Sequence, residues 1–140
     1  EPKNYKYLMN LSEKLKVQDS IIFTGYLSCN SHTIINSLDA VIMATRDFEG
    51  FGYSMAEAMS VGIPVVASRI GAIPEVIVDK ESGFLVKPKD ISVWQENLEK
   101  LINSADLRKK IGMSGRQRIQ NVFSAHSMGQ QYFNFLRNLQ

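Results

Sequence analysis

The sequence predicts an α/β fold in which a parallel sheet is covered by helices on both faces. Short apolar runs at Ala40-Val41-Ile42-Met43-Ala44, Val65-Val66-Ala67 and Gly83-Phe84-Leu85-Val86 lack polar alternation, as strands buried on both faces do. Helix-period segments separate them, which is the pattern of strand, crossover and parallel strand. The second run ends at Ser68, and the carboxyl ends of such strands are where open sheets of this class bind ligands.

Taken in order, Asn4 to Lys16 places Tyr5, Leu8, Met9, Leu11 and Leu15 near helical spacing, with lysines left for a wet face. Ile21-Ile22-Phe23-Thr24-Gly25 reads as a buried strand that ends at glycine and passes into a loop at Tyr26. Asn30 or Ser31 can cap a short helix carrying Ile34, Ile35 and Leu38. The Val41 strand then leads into a second helical pattern that Gly62-Ile63-Pro64 stops. Pro74-Glu75 opens a short helix, proline being tolerated in a first turn, and Phe84 to Val86 forms a last, edge strand closed by Pro88. Beyond it, helices are expected over residues 90–104, 106–112, 115–123 and 127–139, the last with Met128, Tyr132, Phe135 and Leu136 on one side.

At 140 residues, with 44% hydrophobic and 21% charged residues, the chain has the size and composition of one soluble domain, residues 1–140. A net charge of +2 is too small to argue for nucleic acid as a partner. Cys29 stands alone, so no intrachain disulfide is available, and it reads as a small buried hydrophobe; with no secretory or membrane-spanning segment seen, a cytoplasmic protein is expected.

The candidate site lies in residues 47–59. Gly50 and Gly52 bracket Phe51 at a strand-to-helix turn, where glycine permits close approach of a ligand. A helix starting at Gly52 or Tyr53 would offer free N–H groups and about half a unit of positive charge to a phosphate. Glu57 then falls in the second turn, where side chains lean back toward the helix start, and Glu49 approaches from the loop. Two carboxylates beside a phosphate suit hydroxyl groups on either side of it. A ligand built as sugar, phosphate, sugar fits this pattern. On spacing alone, Glu57 as a helix former and Glu49 as a solvated loop acid explain the residues about as well.

Glu49-Gly-Phe-Gly, Glu57-Ala-Met, Gly62-Ile-Pro-Val-Val-Ala67, Gly71-Ala-Ile-Pro-Glu75 and Ser82-Gly-Phe-Leu-Val86 together resemble the donor-binding lobe of the group 1 family of retaining glycosyltransferases. The likeness covers essentially the whole chain, including a pair of glutamates with seven residues between them. It implies a Rossmann-like three-layer sheet, the C-terminal half of a two-lobed GT-B fold, with a helical C-terminal extension. It also implies hexosyltransferase-like transfer from a nucleoside diphosphate sugar to a hydroxyl acceptor, with no metal or other cofactor. On the same resemblance Glu57 holds the ribose, Glu49 holds the donor sugar near the reacting carbon, and the backbone N–H groups around Gly52, Tyr53 and Ser54 hold the diphosphate, with Gly50 and Phe51 also in the donor site. Gly25 and Tyr26 lie beside the base, and Gly71 and Glu75 border the cleft. Where the family has two glycines, this chain has Gly71-Ala72. The family lobe is expected to have two further strands, and the enzyme an acceptor lobe, upstream of the residues given. The Ile22 strand is therefore expected to pair with the Val41 strand, or the open edge to borrow strands from a partner, including a second copy. A non-catalytic sensor or interaction module of the same fold, or an epimerase fragment, are the alternatives.

Other features weigh less. Asp47-Phe48-Glu49 resembles an acidic metal-binding triplet but has no second ligand cluster. His32 and His126 are isolated. Arg108, Lys109, Lys110, Arg116 and Arg118 form a basic tract that could touch the anionic inner face of a membrane, although such a run is usually a solvated surface.

Overall fold

The computed structural model describes residues 4–28 and 30–139. Cys29 therefore lies outside the described residues. At the centre is a parallel sheet of β1 (Val41–Met43), β2 (Val65–Ser68) and β3 (Phe84–Val86) in that spatial order. Val41 pairs with Val65 and Met43 with Ala67, while Val66 pairs with Phe84 and Ser68 with Val86. Parallel neighbours require crossovers, supplied by α3 (Tyr53–Ser60) between β1 and β2 and by α4 (Ile73–Val76) between β2 and β3.

Because strand side chains alternate between faces, β2 serves two cores. Val65 and Ala67 pack with Met55, Ala58 and Met59 of α3 and with Ile73 and Val76 of α4. Val66 turns the other way, joining Phe84, Val86 and Leu101, the last from α5 (Ile91–Asn103). Hence the three layers, with β2 wholly buried between them. The helix α6 (Ala105–Val122) runs along α3, and Ile111 and Ile119 reach the two cores.

Helix ends follow local chemistry. Asn30 caps α2 (Ser31–Ile35), and Asp90, Ser104 and Ser124 cap α5, α6 and α7 (Ala125–Arg137) by accepting backbone N–H groups. At the end of α3, Gly62 N–H donates to Met59 and Ile63 N–H to Ala58, the paired bonds of a Schellman stop. The helix α7 buries none of its side chains, so Met128, Tyr132, Phe135 and Leu136 stand exposed. No helix among the described residues is long and apolar enough to cross a membrane.

Two expectations are corrected. Residues 21–25 form no strand, and Ile22 is 87% exposed. Apolar sequence makes a strand only when its backbone groups find a neighbour, and this segment instead lies against α1 (Tyr5–Lys14), with the Phe23 ring 5.1 Å edge-on from Tyr5. The anticipated pairing with Val41 is not made, leaving the outer side of β1 open and Ile42 54% exposed. The second correction joins the helices expected over 106–112 and 115–123 into α6 alone. Its glycines are not breaks. A Cβ on Gly112 would collide with the Gly62 carbonyl oxygen, and one on Gly115 would sit 3.0 Å from the Ser82 carbonyl oxygen, so both exist to let α6 approach backbone.

Gly112→Ala should therefore destabilise the fold by about 1–3 kcal/mol through overpacking, despite the better helix propensity of alanine. Gly129→Ala, in open space on α7, should stabilise by up to about 1 kcal/mol. Urea denaturation of both variants is the check; equal effects would contradict the close contact at Gly62.

Candidate functional site

The loop from β1 to α3 ends at Gly52, whose φ of 80° and ψ of 57° place it in the left-handed region that a glycine accepts freely. The first helical bond runs from Ala56 N–H to the Gly52 carbonyl at 3.0 Å. The amides of Tyr53, Ser54 and Met55 precede it, Gly52 has no side chain to cap them, and the first turn holds no acid. Uncapped N–H groups at a helix start carry partial positive charge and are of the kind that bind anions. Tyr53 and Ser54 are exposed at this end, and Gly50 stands in open space.

Glu49 is held by its backbone. The Ala72 N–H donates to the Glu49 carbonyl at 3.1 Å, tying the loop after β1 to the loop after β2. Gly71 makes this contact geometrically feasible: with φ of +52°, a Cβ there would collide with that same Glu49 oxygen. The half-buried Glu49 carboxylate has no hydrogen bond or ion pair among the described residues, and the same is true of the half-buried Glu57 carboxylate on the second turn of α3. Both remain available as acceptors. Among the described residues no group of three His, Cys, Asp or Glu side chains could hold a metal ion.

Phe51 anchors the loop from below, its ring 5.7 Å edge-on from Phe123 and 5.2 Å from Tyr53. Arg118 lies 5.7 Å over Phe123 and donates through Nε to the Val76 carbonyl at 2.6 Å and through Nη2 to the Glu75 carbonyl at 2.7 Å. It thus satisfies the last carbonyls of α4, as cations at helix ends do. Arg118 therefore braces the site, a role hidden in the sequence because basic runs are ordinarily solvated. Arg108 is similarly engaged, with the Leu101 and Ile102 carbonyls and Asp39, whereas Lys109, Lys110 and Arg116 are exposed. Glu75 contributes its carbonyl to this brace and exposes its side chain.

The structure brings Glu49, Gly52, Tyr53, Ser54, Glu57 and Gly71 to one end of the sheet. Gly25 instead lines a cavity of about 580 Å³ against α1, with Tyr5, Leu8 and Phe23, which no residue of the motif loop shares; Tyr26 is exposed beside it.

The family model for group 1 glycosyl transferases matches residues 1–118. The chain is 36% identical over 90 residues to the capsular polysaccharide biosynthesis glycosyltransferase CapM of Staphylococcus aureus, an alignment covering 64% of this chain and 23% of CapM. It superposes on the C-terminal domain of the group 1 glycosyl transferase LpcC from Francisella tularensis with a TM-score of 0.77 and 32% identity, over 89% of this chain and 66% of that one. The fold is also that of HepE from Anabaena, solved with UDP-glucose, at a TM-score of 0.86 and 22% identity over 98% of this chain and 38% of HepE. The chain spans between 21% and 33% of the length of such curated relatives.

Gly71→Ala should displace the Glu49 loop, since it adds a methyl against the Glu49 carbonyl and costs about 1–2 kcal/mol for a left-handed alanine. Hydrogen exchange at the Ala72 amide is the sensitive reporter. It should accelerate in the variant; unchanged protection would mean that the loop contact does not depend on the missing Cβ.

Proposed function

The chain belongs to the group 1 glycosyl transferase family, and we propose that it forms the donor-binding lobe of a retaining enzyme moving a sugar from a nucleoside diphosphate to a hydroxyl acceptor. The observation that carries this is the uncapped start of α3, with the Glu49 loop on one side and Glu57 one turn in. Backbone N–H groups at Gly52, Tyr53 and Ser54 bind the diphosphate, with Gly50 and Phe51 shaping the approach. Glu57 accepts the ribose hydroxyls and Glu49 the hydroxyls of the donor sugar beside the reacting carbon. Gly25 and Tyr26 belong to the base end, and Gly71 and Glu75 to the wall that positions the loop.

As the bond to the sugar breaks, negative charge gathers on the departing diphosphate and positive charge on the sugar. Fixed dipoles at α3 meet the first, and the Glu49 carboxylate faces the second, so preorganised electrostatics supply most of the rate. The positive helix end does here what a metal would otherwise do. The hydroxyl acceptor comes from a second lobe, which closes the cleft and excludes water. The open edge of β1 suits further strands of the same lobe or a second copy, and exposed Lys109, Lys110 and Arg116 suit a peripheral contact with anionic lipid.

Calorimetric titration with uridine, guanosine and adenosine diphosphates tests the donor site. Glu57→Ala should weaken binding by about 1.5–3 kcal/mol, the range for bonds to a charged group, or roughly tenfold to a hundredfold. Glu49→Ala should leave nucleotide affinity nearly intact and, in the complete two-lobed protein, lower the turnover rate far more. Unaltered nucleotide binding by Glu57→Ala, with the circular dichroism of the parent, would return Glu57 to a purely helical role.

A further inference from the structure

A second cavity opens at the same end of the sheet on the face away from α3. Its volume is about 280 Å³, and Ala44, Thr45, Arg46, Ser68, Lys89 and Trp94 line it, with Pro88 and Ile91 at its apolar side. Thr45 and Arg46 begin the very loop that carries Glu49, Ser68 ends β2, and Lys89 follows β3. Strand alternation aims Ser68 here, since Val66 two residues earlier faces α5, the helix that bears Trp94.

Several observations point to an anion. Ser68 is 1% exposed and places its hydroxyl group at the cavity wall where β2 ends. Arg46 and Lys89 form no ion pair among the described residues. Two nearby acids are engaged elsewhere. Asp90 caps α5, its carboxylate accepting from Val93 N–H and Ser92, and Arg69 is paired with Asp79 at 2.6 Å. No carboxylate lines the cavity. Two cations and two hydroxyls around one space suit a phosphate dianion, which accepts charge-assisted bonds from all four. The indole of Trp94 with Ile91 and Pro88 supplies an apolar wall of the kind that covers a sugar ring. The space falls just below the range of about 300–1,000 Å³ for pockets that hold drug-sized ligands, so a nucleotide is too large for it.

We propose that this cavity is a second binding subsite, for a phosphorylated monosaccharide, held by Arg46, Lys89, Ser68 and Thr45 with its ring against Trp94. It is independent of the nucleotide site at α3 and joined to it by one loop, whose first residues touch this ligand and whose last residues carry Glu49.

Trp94 is the sole tryptophan, so its emission reports on the cavity directly. The full chain is titrated at constant ionic strength with glucose 6-phosphate, inorganic phosphate and glucose. A saturable change is expected with glucose 6-phosphate, a weaker one with inorganic phosphate and none with glucose. Arg46→Ala and Lys89→Ala should each raise the dissociation constant at least about tenfold, as loss of a charge-assisted bond does. Ser68→Ala should raise it less, and Lys109→Ala on α6 should not change it, with circular dichroism confirming the fold of each. The proposal is overturned if neither phosphate gives saturation, if chloride reproduces the change, or if the Arg46 and Lys89 variants bind as the parent does. Equal affinity for inorganic phosphate and glucose 6-phosphate would remove the sugar from it. Uridine diphosphate binding should survive Lys89→Ala; full competition between the two ligands would overturn the independence of the subsite. Loss of nucleotide binding alone, with phosphate binding intact, would count against the donor site and leave this one standing.

Discussion

The contact on which the site depends is one backbone hydrogen bond, from the Ala72 amide to the Glu49 carbonyl, made where Gly71 has no side chain. Two loops leaving neighbouring parallel strands would otherwise be free to splay, because parallel pairing ends with the strands themselves. Fastened at Glu49, the first loop must deliver Gly52 to the start of α3 in a left-handed turn, and this leaves the helix amides uncapped. The same fastening fixes where Thr45 and Arg46 emerge on the opposite face. A short polar contact between loops thereby sets the geometry of the α3 site and of the cavity beside Trp94, while the apolar layers beneath supply the stability that makes it stiff.

Those layers divide the labour between the two faces of β2. The α3 face is closed by short helices and by the long α6, which comes near enough to touch backbone at Gly62 and Ser82 because two of its residues are glycines. Arg118 extends that closure to α4 and to Phe123, and thus to Phe51 under the motif loop. The α5 face, closed by α5 with Leu107 and Ile111 of α6, leaves room at its end beside Trp94. The crowded face has become a rigid support for the α3 helix end, and the looser one encloses space.

What could be read from the sequence follows from which constraints are local. The β2 run and the stop after α3 at Gly62 depend on residues close in sequence, and the sequence pattern reveals them. Strand formation at residues 21–25 depends on a neighbour, which apolar character alone cannot supply. Gly112 and Gly115 look the same in sequence whether they end a helix or admit a close neighbour, and only the position of Gly62 and Ser82 distinguishes the two. The meeting of Glu49 with Gly71 is likewise tertiary; the motif suggested both residues, but not that one exists to make room for the other. Ser68, Lys89 and Trp94 are scattered along the chain, and no spacing joins them.

The exposed stripe of α7 carries a thermodynamic consequence for whatever comes to cover it. A helix of this length with no buried side chain gains little from tertiary packing, and isolated helices shorter than about 12–15 residues are marginal in water. The Ser124 cap and the Arg137 side chain over Phe133 are the local terms that favour it. Any surface that docks on Met128, Tyr132 and Phe135 must then also supply the free energy that keeps the helix wound. Its observed affinity would be the contact energy less that ordering term, and shortening the helix or removing its cap would weaken association without touching a single residue of the interface.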